Sequence, residues 1–313
     1  MLFPYALVLN HRVFFRDREA VHTDSDGIFS SWIEPFWTQY PFWSSIFYVF
    51  LVFFQAILIN RLSIVYRIGS EINLFPGILF LIFVSFFPEF QHLSALSLGM
   101  LFFLFALNAL FQTYKRHQDT GKLFNAGFWT GVAALFYAPF LAGMLIVIIG
   151  AFILKPVKGK DWLLMFNGLL VTYFLTFALG YAFGMEPGLF LDHYAVPIYF
   201  YIPFIPIEAS SFVPILILST AILLALVNYQ YYMSKKALRS KKNIDILYWS
   251  LLVFSASTLL FEGVELQHMV LVALPLSLLL QDSIVRIENP LTAEIIHLFI
   301  IGGVFFFQYQ NFL

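Results

Sequence analysis

The sequence predicts an all-α fold, a polytopic bundle of transmembrane helices, from three observations. First, the chain of 313 residues is 61% hydrophobic and only 11% charged. Second, apolar runs of about 16 to 23 residues, the length that crosses roughly 30 Å of hydrocarbon as a helix, recur from residue 44 onwards. Third, the loops between these runs alternate between basic loops and loops nearly free of Lys and Arg. This alternation also predicts orientation, because cytoplasmic loops are enriched in Lys and Arg.

About ten membrane segments follow from the positions of helix-breaking residues. For example, Glu71 to Asn73 precede one segment and Gly184 to Pro187 closes another. The segments belong to a single integral membrane domain, residues 1–313, in which an outer loop (185–211) separates helical groups 44–184 and 212–313. The predicted segments are 44–60, 72–88, 93–112, 123–138, 139–154, 162–184, 212–233, 246–261, 268–283 and 293–311.

The stretch from Leu123 to Leu154 decides the topology. It is too long for one ordinary span and short for two, and basic residues flank both of its ends. A single crossing would put these basic residues on opposite faces of the membrane, whereas a short helical hairpin turning near Pro139 puts them on the same face. We predict the hairpin. Whether its arms cross the bilayer fully stays open, since each arm rises only about 23 Å. Gly127 and Gly131, four residues apart, permit close helix packing.

With the hairpin, all but three of the 17 Lys and Arg residues lie on the predicted cytoplasmic face. The exceptions, Arg12, Arg16 and Arg18, belong to the N-terminal segment on the outer face. Most acidic residues and histidines also collect on the outer face. For any single acid we favour the explanation that acids avoid the negatively charged inner surface and solvate outer loops, but the clustering makes the outer face the place where we expect chemistry.

The apolar run Leu2–Leu9 is too short to span a bilayer. Either it is a short interfacial anchor, or it is the remainder of a first membrane helix that has been cut off. We favour the second interpretation. The run does not resemble a signal peptide, because no basic region precedes it and no clear cleavage site follows.

Composition excludes several classes of function. The chain has no cysteine, which excludes disulfides, thiol catalysis and Cys-ligated metal sites. Gly121-Lys122 lacks the other residues of a phosphate-binding Walker motif. Topology and anionic lipids account for the basic residues, so nucleic-acid binding is not indicated. Because no charged residue is predicted at mid-span, a proton- or sodium-driven pump is disfavoured.

The first outer segment, residues 10–43, combines a charged loop with an aromatic, interfacial helix. The tryptophans and tyrosines of Ile28–Trp43 favour the head-group layer, and Glu34 lies among them. Arginine can grip a phosphate with paired hydrogen bonds, and a carboxylate can take a proton from an acceptor hydroxyl or hold a metal ion. This combination suits a lipid-linked anionic substrate. The charged candidates in the loop are Arg12, Arg16, Arg18, Asp24 and Asp26.

Two further outer segments carry candidate residues. The loop 185–211 contains His193, many aromatic residues and no Lys or Arg, so it either roofs a groove for an acyl or prenyl chain or simply covers the bundle. In Phe261–Pro275, the spacing of Glu262, Glu265 and His268 would put all three on one face if the segment is an α-helix. The Glu265-x-x-His268 spacing also occurs in metal-binding bundles, although a lone pair is often incidental. A divalent metal ion is compatible with this pattern but not required.

Several motifs carry a family resemblance. They are Asn73-Leu74-Phe75-Pro76, Leu104 to Tyr114, Gly121 to Gly127 with Gly131 and Ala134-Leu135-Phe136-Tyr137, and His268 to Gln281 with Leu274-Pro275-Leu276. By these motifs the block from Gly69 to Leu154 resembles the GT-C superfamily of polyprenyl-phosphate-sugar-dependent glycosyltransferases. More closely, the whole chain resembles an uncharacterised family of bacterial polytopic inner-membrane proteins. The GT-C resemblance implies a catalytic carboxylate in the first outer loop, where Asp24 and Asp26 lie, with Glu34 as another candidate.

We therefore expect a glycosyltransferase-like protein that acts on a polyprenyl-phosphate sugar at the outer face of the bacterial inner membrane. Two alternatives stay open: a non-catalytic subunit of an envelope assembly, and a lipid or solute transporter. Membrane lipids are expected partners. The expected catalytic residues are Asp24, Asp26 and Glu34, and the expected substrate-binding residues are Arg12, Arg16, Arg18, His193, Glu262, Glu265 and His268.

Overall fold

The computed structural model describes residues 2–15, 26–86, 91–114, 121–184, 209–257, 266–287 and 289–309. Within these ranges the chain forms helices and no β-strand, apart from an isolated antiparallel bridge between Asp26 and Tyr137. The all-α fold class is therefore confirmed for the described residues. The α-helices are α1 (Leu2–Leu9), α2 (Ile28–Gln39), α3 (Pro41–Tyr66), α4 (Phe75–Ser85), α5 (Ala95–Phe111), α6 (Gly121–Phe136), α7 (Gly143–Leu154), α8 (Gly159–Ala182), α9 (Ala209–Val227), α10 (Tyr229–Lys235), α11 (Leu238–Ser257), α12 (Val270–Val285) and α13 (Pro290–Tyr309).

Contacts between helices show that the chain reverses direction between α6 and α7. On α7, Gly143 faces Phe103 of α5, and Gly150, two turns later, faces Leu110, two turns further along α5. Helix α7 therefore runs in the same direction as α5. Helix α6 runs the opposite way, since its last residue stacks on Phe102 while Trp129, earlier on α6, contacts Phe105. The reversal occurs at the 3-10 helix Ala138–Ala142, which contains Pro139, so the predicted hairpin is confirmed.

Helices α6 and α8 pack with their backbones almost in contact. A Cβ atom added to Gly127 would lie 2.1 Å from the carbonyl oxygen of Met165, and one added to Gly168 would lie 2.2 Å from that of Phe124. Gly131 similarly faces Thr172 at 3.0 Å. The prediction that Gly127 and Gly131 permit close packing is therefore confirmed, with Gly168 as their counterpart on α8.

The bundle has two chemically different ends. At the first, which we call the basic end, Lys155 pairs with Asp161 and Lys236 pairs with Asp282. This end gathers the C-termini of α3, α5, α7 and α12 and the N-termini of α8 and α11. The opposite end gathers the N-termini of α2, α3 and α5 with the turn that joins α6 to α7. The predicted alternation of basic and non-basic loops thus corresponds to two ends of the described bundle.

The prediction of about ten membrane segments is not supported by helix length. Among the described residues, three helices are long and apolar enough to cross a membrane: Pro41–Tyr66, Gly159–Ala182 and Leu291–Tyr309. Other apolar helices are shorter, with 11 residues in α4 and 12 in α7. At 1.5 Å per residue these two rise only about 17 and 18 Å, against a hydrocarbon core of roughly 30 Å. Pro76 and the turn at Pro139 lie where these helices begin and shorten them.

Helix α1 packs into the bundle although it is short. Ala6 and Leu9 are buried, and the ring of Phe3 contacts the rings of Phe50 and Phe53 on α3. The Leu9 carbonyl oxygen accepts hydrogen bonds from the side-chain amides of Gln91 and Gln308, which also donate to the Ser85 carbonyl. These four hydrogen bonds join the end of α1 to the end of α4 and to α13.

Candidate functional site

The structure describes four of the predicted site residues: Arg12, Asp26, Glu34 and His268. Arg12, Asp26 and His268 lie at the end of the bundle opposite the basic end. Glu34 lies on α2, which begins at that same end. The predictions for the others stay untested, because they lie outside the described residues. These are Arg16, Arg18, Asp24, His193, Glu262 and Glu265.

His268 is fully buried in the 3-10 helix Leu266–Met269, and hydrogen bonds hold both of its ring nitrogens. Its Nδ1 lies 2.9 Å from Tyr137 Oη, and its Nε2 lies 2.9 Å from Ser257 Oγ. Ser257 Oγ also donates to the Phe254 carbonyl oxygen at 2.7 Å. All three bonds are satisfied when Nε2 carries the proton and Nδ1 accepts the Tyr137 proton. With both nitrogens engaged, the neutral ring ties α11 to the turn after α6 and has no lone pair left for a metal ion.

Asp26 lies beside the same turn and is held there by its backbone. It forms the bridge with Tyr137, and the next residue, Gly27, donates its N–H to the Phe136 carbonyl oxygen at 2.7 Å. A Cβ atom at Gly27 would lie 2.2 Å from the Leu135 carbonyl oxygen, so this close approach requires glycine. The structure therefore brings Asp26 and His268, predicted from distant segments, to the same place through Tyr137.

An open apolar groove of about 500 Å³ lies where α2 meets α3. Glu34 precedes its first lining residue, Phe36, by two positions, which turn the helix by about 200°, so the Glu34 side chain projects from a different side of α2. The groove runs between the end of α2 and the first half of α3. Its volume falls within the range of about 300–1,000 Å³ that is typical of ligand sites. Trp43 and Phe50 are 61% and 54% exposed, so their rings are available to a ligand. The lining residues are Phe36, Tyr40, Trp43, Ile46, Phe47 and Phe50.

Arg12 lies at a different helix interface from His268. It belongs to the 3-10 helix His11–Phe14 that follows α1, and its guanidinium carbon lies 5.9 Å from the centre of the Tyr309 ring on α13. His11 also contacts Tyr309. The structure thus places Arg12 where α1 meets α13, rather than in the turn that holds Asp26.

The basic end contains a buried polar cluster that the sequence interpretation missed. Asp282 Oδ2 lies 2.8 Å from Lys236 Nζ, and Asp282 Oδ1 accepts from Ser70 N–H at 2.8 Å and Ser70 Oγ at 3.0 Å. Lys236 also donates to the Ile68 carbonyl oxygen at 2.6 Å. Asp282 is near the C-terminus of α12, where the helix dipole disfavours negative charge. The sequence signal that could have revealed this cluster is Asp282 itself, an isolated acid at the end of an apolar segment that basic loops surround.

Metal-binding geometry is not found in the described part of the chain. There, no group of three or more His, Asp or Glu side chains could hold a metal ion. The end opposite the basic end is instead aromatic and hydrogen-bonded, with the apolar groove between α2 and α3. This arrangement suits the binding of an apolar chain more directly than metal chemistry.

A family model described as a family of unknown function (DUF6427) matches residues 34–313. The chain belongs to this family. The predicted resemblance to an uncharacterised family is therefore confirmed, whereas no comparison links the chain to GT-C glycosyltransferases. No curated protein and no solved structure gives a significant match. The matched range begins at Glu34, so it includes the groove, His268 and Asp282, but neither Arg12 nor Asp26.

Proposed function

We propose that this protein is a multi-pass protein of the bacterial inner membrane that binds a polyprenyl-phosphate sugar and transfers the sugar at the outer face. The observation that supports the proposal is the aromatic groove between α2 and α3. The groove is lined almost entirely by hydrocarbon and aromatic surface and opens along α3, one of the helices long enough to cross a membrane. A prenyl chain would enter it sideways from the bilayer.

The position of the groove suggests where the phosphate of such a lipid would lie. Trp43 and Tyr40 flank the junction between α2 and α3, and both residue types favour the head-group layer. A chain that packs on Phe47 and Phe50 would therefore place its phosphate towards α2. Along α2, Glu34 lies two residues before the first groove residue, Phe36, and it is half-buried.

We favour Glu34 over Asp26 as the catalytic carboxylate only because Glu34 lies nearer to the groove along the axis of α2. Helix α2 has 12 residues, so its two ends are about 18 Å apart, and Asp26 lies at the end away from the groove. In the proposed reaction Glu34 takes the proton of the acceptor hydroxyl. The acceptor oxygen then bonds to the anomeric carbon, and the bond from that carbon to the phosphate oxygen breaks. The polyprenyl phosphate leaves with the electron pair.

Removal of aromatic rings from the groove should weaken the binding of polyprenyl phosphate. We expect Trp43→Ala and Phe47→Ala each to raise its dissociation constant about tenfold, because each loses roughly 1.5 kcal/mol of apolar contact. Binding would be measured by native mass spectrometry of the protein in detergent. Phe299→Ala is the matched control, since Phe299 is 81% exposed on α13, away from the groove. Equal binding by all three variants would contradict the groove as the lipid site.

Catalysis is tested separately with Glu34→Gln. This variant should still bind polyprenyl phosphate but should lose transfer from a radiolabelled polyprenyl-phosphate sugar. If Glu34→Gln and Asp26→Asn both retain full function in cells while the groove variants lose a co-purifying protein, the groove is a subunit contact. That result would favour the assembly-subunit alternative over the transferase.

Cysteine labelling tests the proposed orientation, since the chain has no cysteine of its own. Gln39 is exposed at the end of α2, and Gly159 is exposed at the basic end with no atom within 4 Å of an added Cβ. A membrane-impermeant maleimide should label Gln39→Cys in intact cells, and Gly159→Cys only after permeabilisation. Labelling of both variants in intact cells would show that the orientation is wrong.

A further inference from the structure

Two cationic side chains at the basic end gather on one tyrosine ring. The guanidinium carbon of Arg239 lies 5.7 Å from the centre of the Tyr114 ring and 5.6 Å from that of Tyr66, while Lys242 Nζ lies 5.7 Å from the centre of Tyr114. Tyr66 is itself held in place, because its hydroxyl donates to Asn108 Oδ1 at 2.8 Å. The guanidinium is therefore positioned by two rings, with its N–H groups available.

These two cations differ from the buried lysines of the same end. Lys155 and Lys236 are each neutralised by an aspartate at 2.8 Å. With the described residues, Arg239, which is exposed, and Lys242 make no ion pair or hydrogen bond. Two positive charges held on one ring repel each other, so the cluster is complementary to an anion.

Their position on α11 strengthens this conclusion. Arg239 and Lys242 lie in the first turns of the helix Leu238–Ser257, whose first turn contains no acidic residue. The N-terminus of a helix carries partial positive charge, which opposes cationic side chains and attracts anions. The two cations and the helix N-terminus are thus all positive, and a bound anion would reduce the repulsion among them.

We propose that Arg239 and Lys242 bind the phosphate of an anionic phospholipid at the basic end. A lipid is the ligand that the position favours, because Tyr66 is the last residue of α3, a helix long enough to span a membrane. The cluster therefore lies at the level of the head groups, where basic side chains meet anionic lipid. The planar guanidinium forms paired hydrogen bonds with phosphate oxygens, which lysine does not do. This inference concerns the other end of the molecule and does not depend on the proposed transfer reaction.

The test compares binding of phosphatidylglycerol with that of phosphatidylcholine to the full chain in detergent, by native mass spectrometry. Arg239→Gln should weaken phosphatidylglycerol binding about tenfold, as expected for a lost charge-assisted hydrogen bond, and Arg239→Lys should restore little of it. Tyr114→Leu, which keeps both cations but removes the ring, should also weaken binding. Phosphatidylcholine binding should stay unchanged in all three variants.

Lys160→Gln is the matched control, because Lys160 is an exposed cation at the same end and contacts no ring or acid in the described structure. Equal losses in Arg239→Gln and Lys160→Gln would mean general charge attraction and would overturn the site. Displacement of phosphatidylglycerol by millimolar inorganic phosphate would instead identify a site for a soluble anion, which overturns the lipid assignment.

Discussion

Replacing Gly168 by alanine is expected to destabilise the protein by about 3 kcal/mol, the upper end of the range for overpacked helix contacts. The added methyl carbon would lie 2.2 Å from the Phe124 carbonyl oxygen and 2.7 Å from the Phe128 nitrogen. Both atoms belong to the backbone of α6, so no side chain can rotate away, and α6 must separate from α8. Thermal unfolding in detergent, followed by loss of the monodisperse peak in size-exclusion chromatography, would measure the effect.

Gly302→Ala is the control for this prediction. Gly302 also lies inside a helix, but no atom lies within 4 Å of its added Cβ. Alanine is favoured over glycine in a helix by about 0.5–1 kcal/mol, so this variant should be neutral or slightly more stable. If Gly168→Ala proved as stable as Gly302→Ala, the close contact between α6 and α8 would be wrong.

The second large effect is expected at the buried pair Lys236–Asp282. Asp282→Leu should destabilise the protein by about 3–5 kcal/mol, because it leaves the charge of Lys236 buried without its partner. Lys236→Met should have an effect of similar size, since Asp282 is 0% exposed. The double variant Lys236→Met/Asp282→Leu should recover most of the loss, because it buries no charge. A double-mutant cycle of unfolding free energies measures the coupling.

Lys160→Met is the reference for that cycle, as it removes an exposed cation from the same end and should change stability by less than about 0.5 kcal/mol. Additive effects of the two single substitutions would show that Lys236 and Asp282 do not interact. Such a result would also question the contact between α12 and the loop that carries Ser70, which Asp282 holds through two hydrogen bonds.

Much of the architecture could be predicted from local properties of the chain. The turn at Pro139 followed from the length of the apolar stretch and the basic residues on both sides of it. The close packing at Gly127 and Gly131 followed from their spacing, since residues four apart share a helix face. The basic end followed from the distribution of Lys and Arg. The helix lengths did not follow, because hydropathy does not show where a continuous apolar run stops being helical.

The sequence by itself determined the helical class, the two chemically different ends, the hairpin and the membership in a family of unknown function. Only the tertiary structure decided which side chains meet. Asp282 contacts Ser70, His268 contacts Tyr137, and Arg239 contacts Tyr66 and Tyr114, all across long separations in the chain. The physical reason is that hydropathy and charge are properties of each segment alone. A buried polar contact depends on which helices pack together and in which rotation, so it is defined only in the folded bundle.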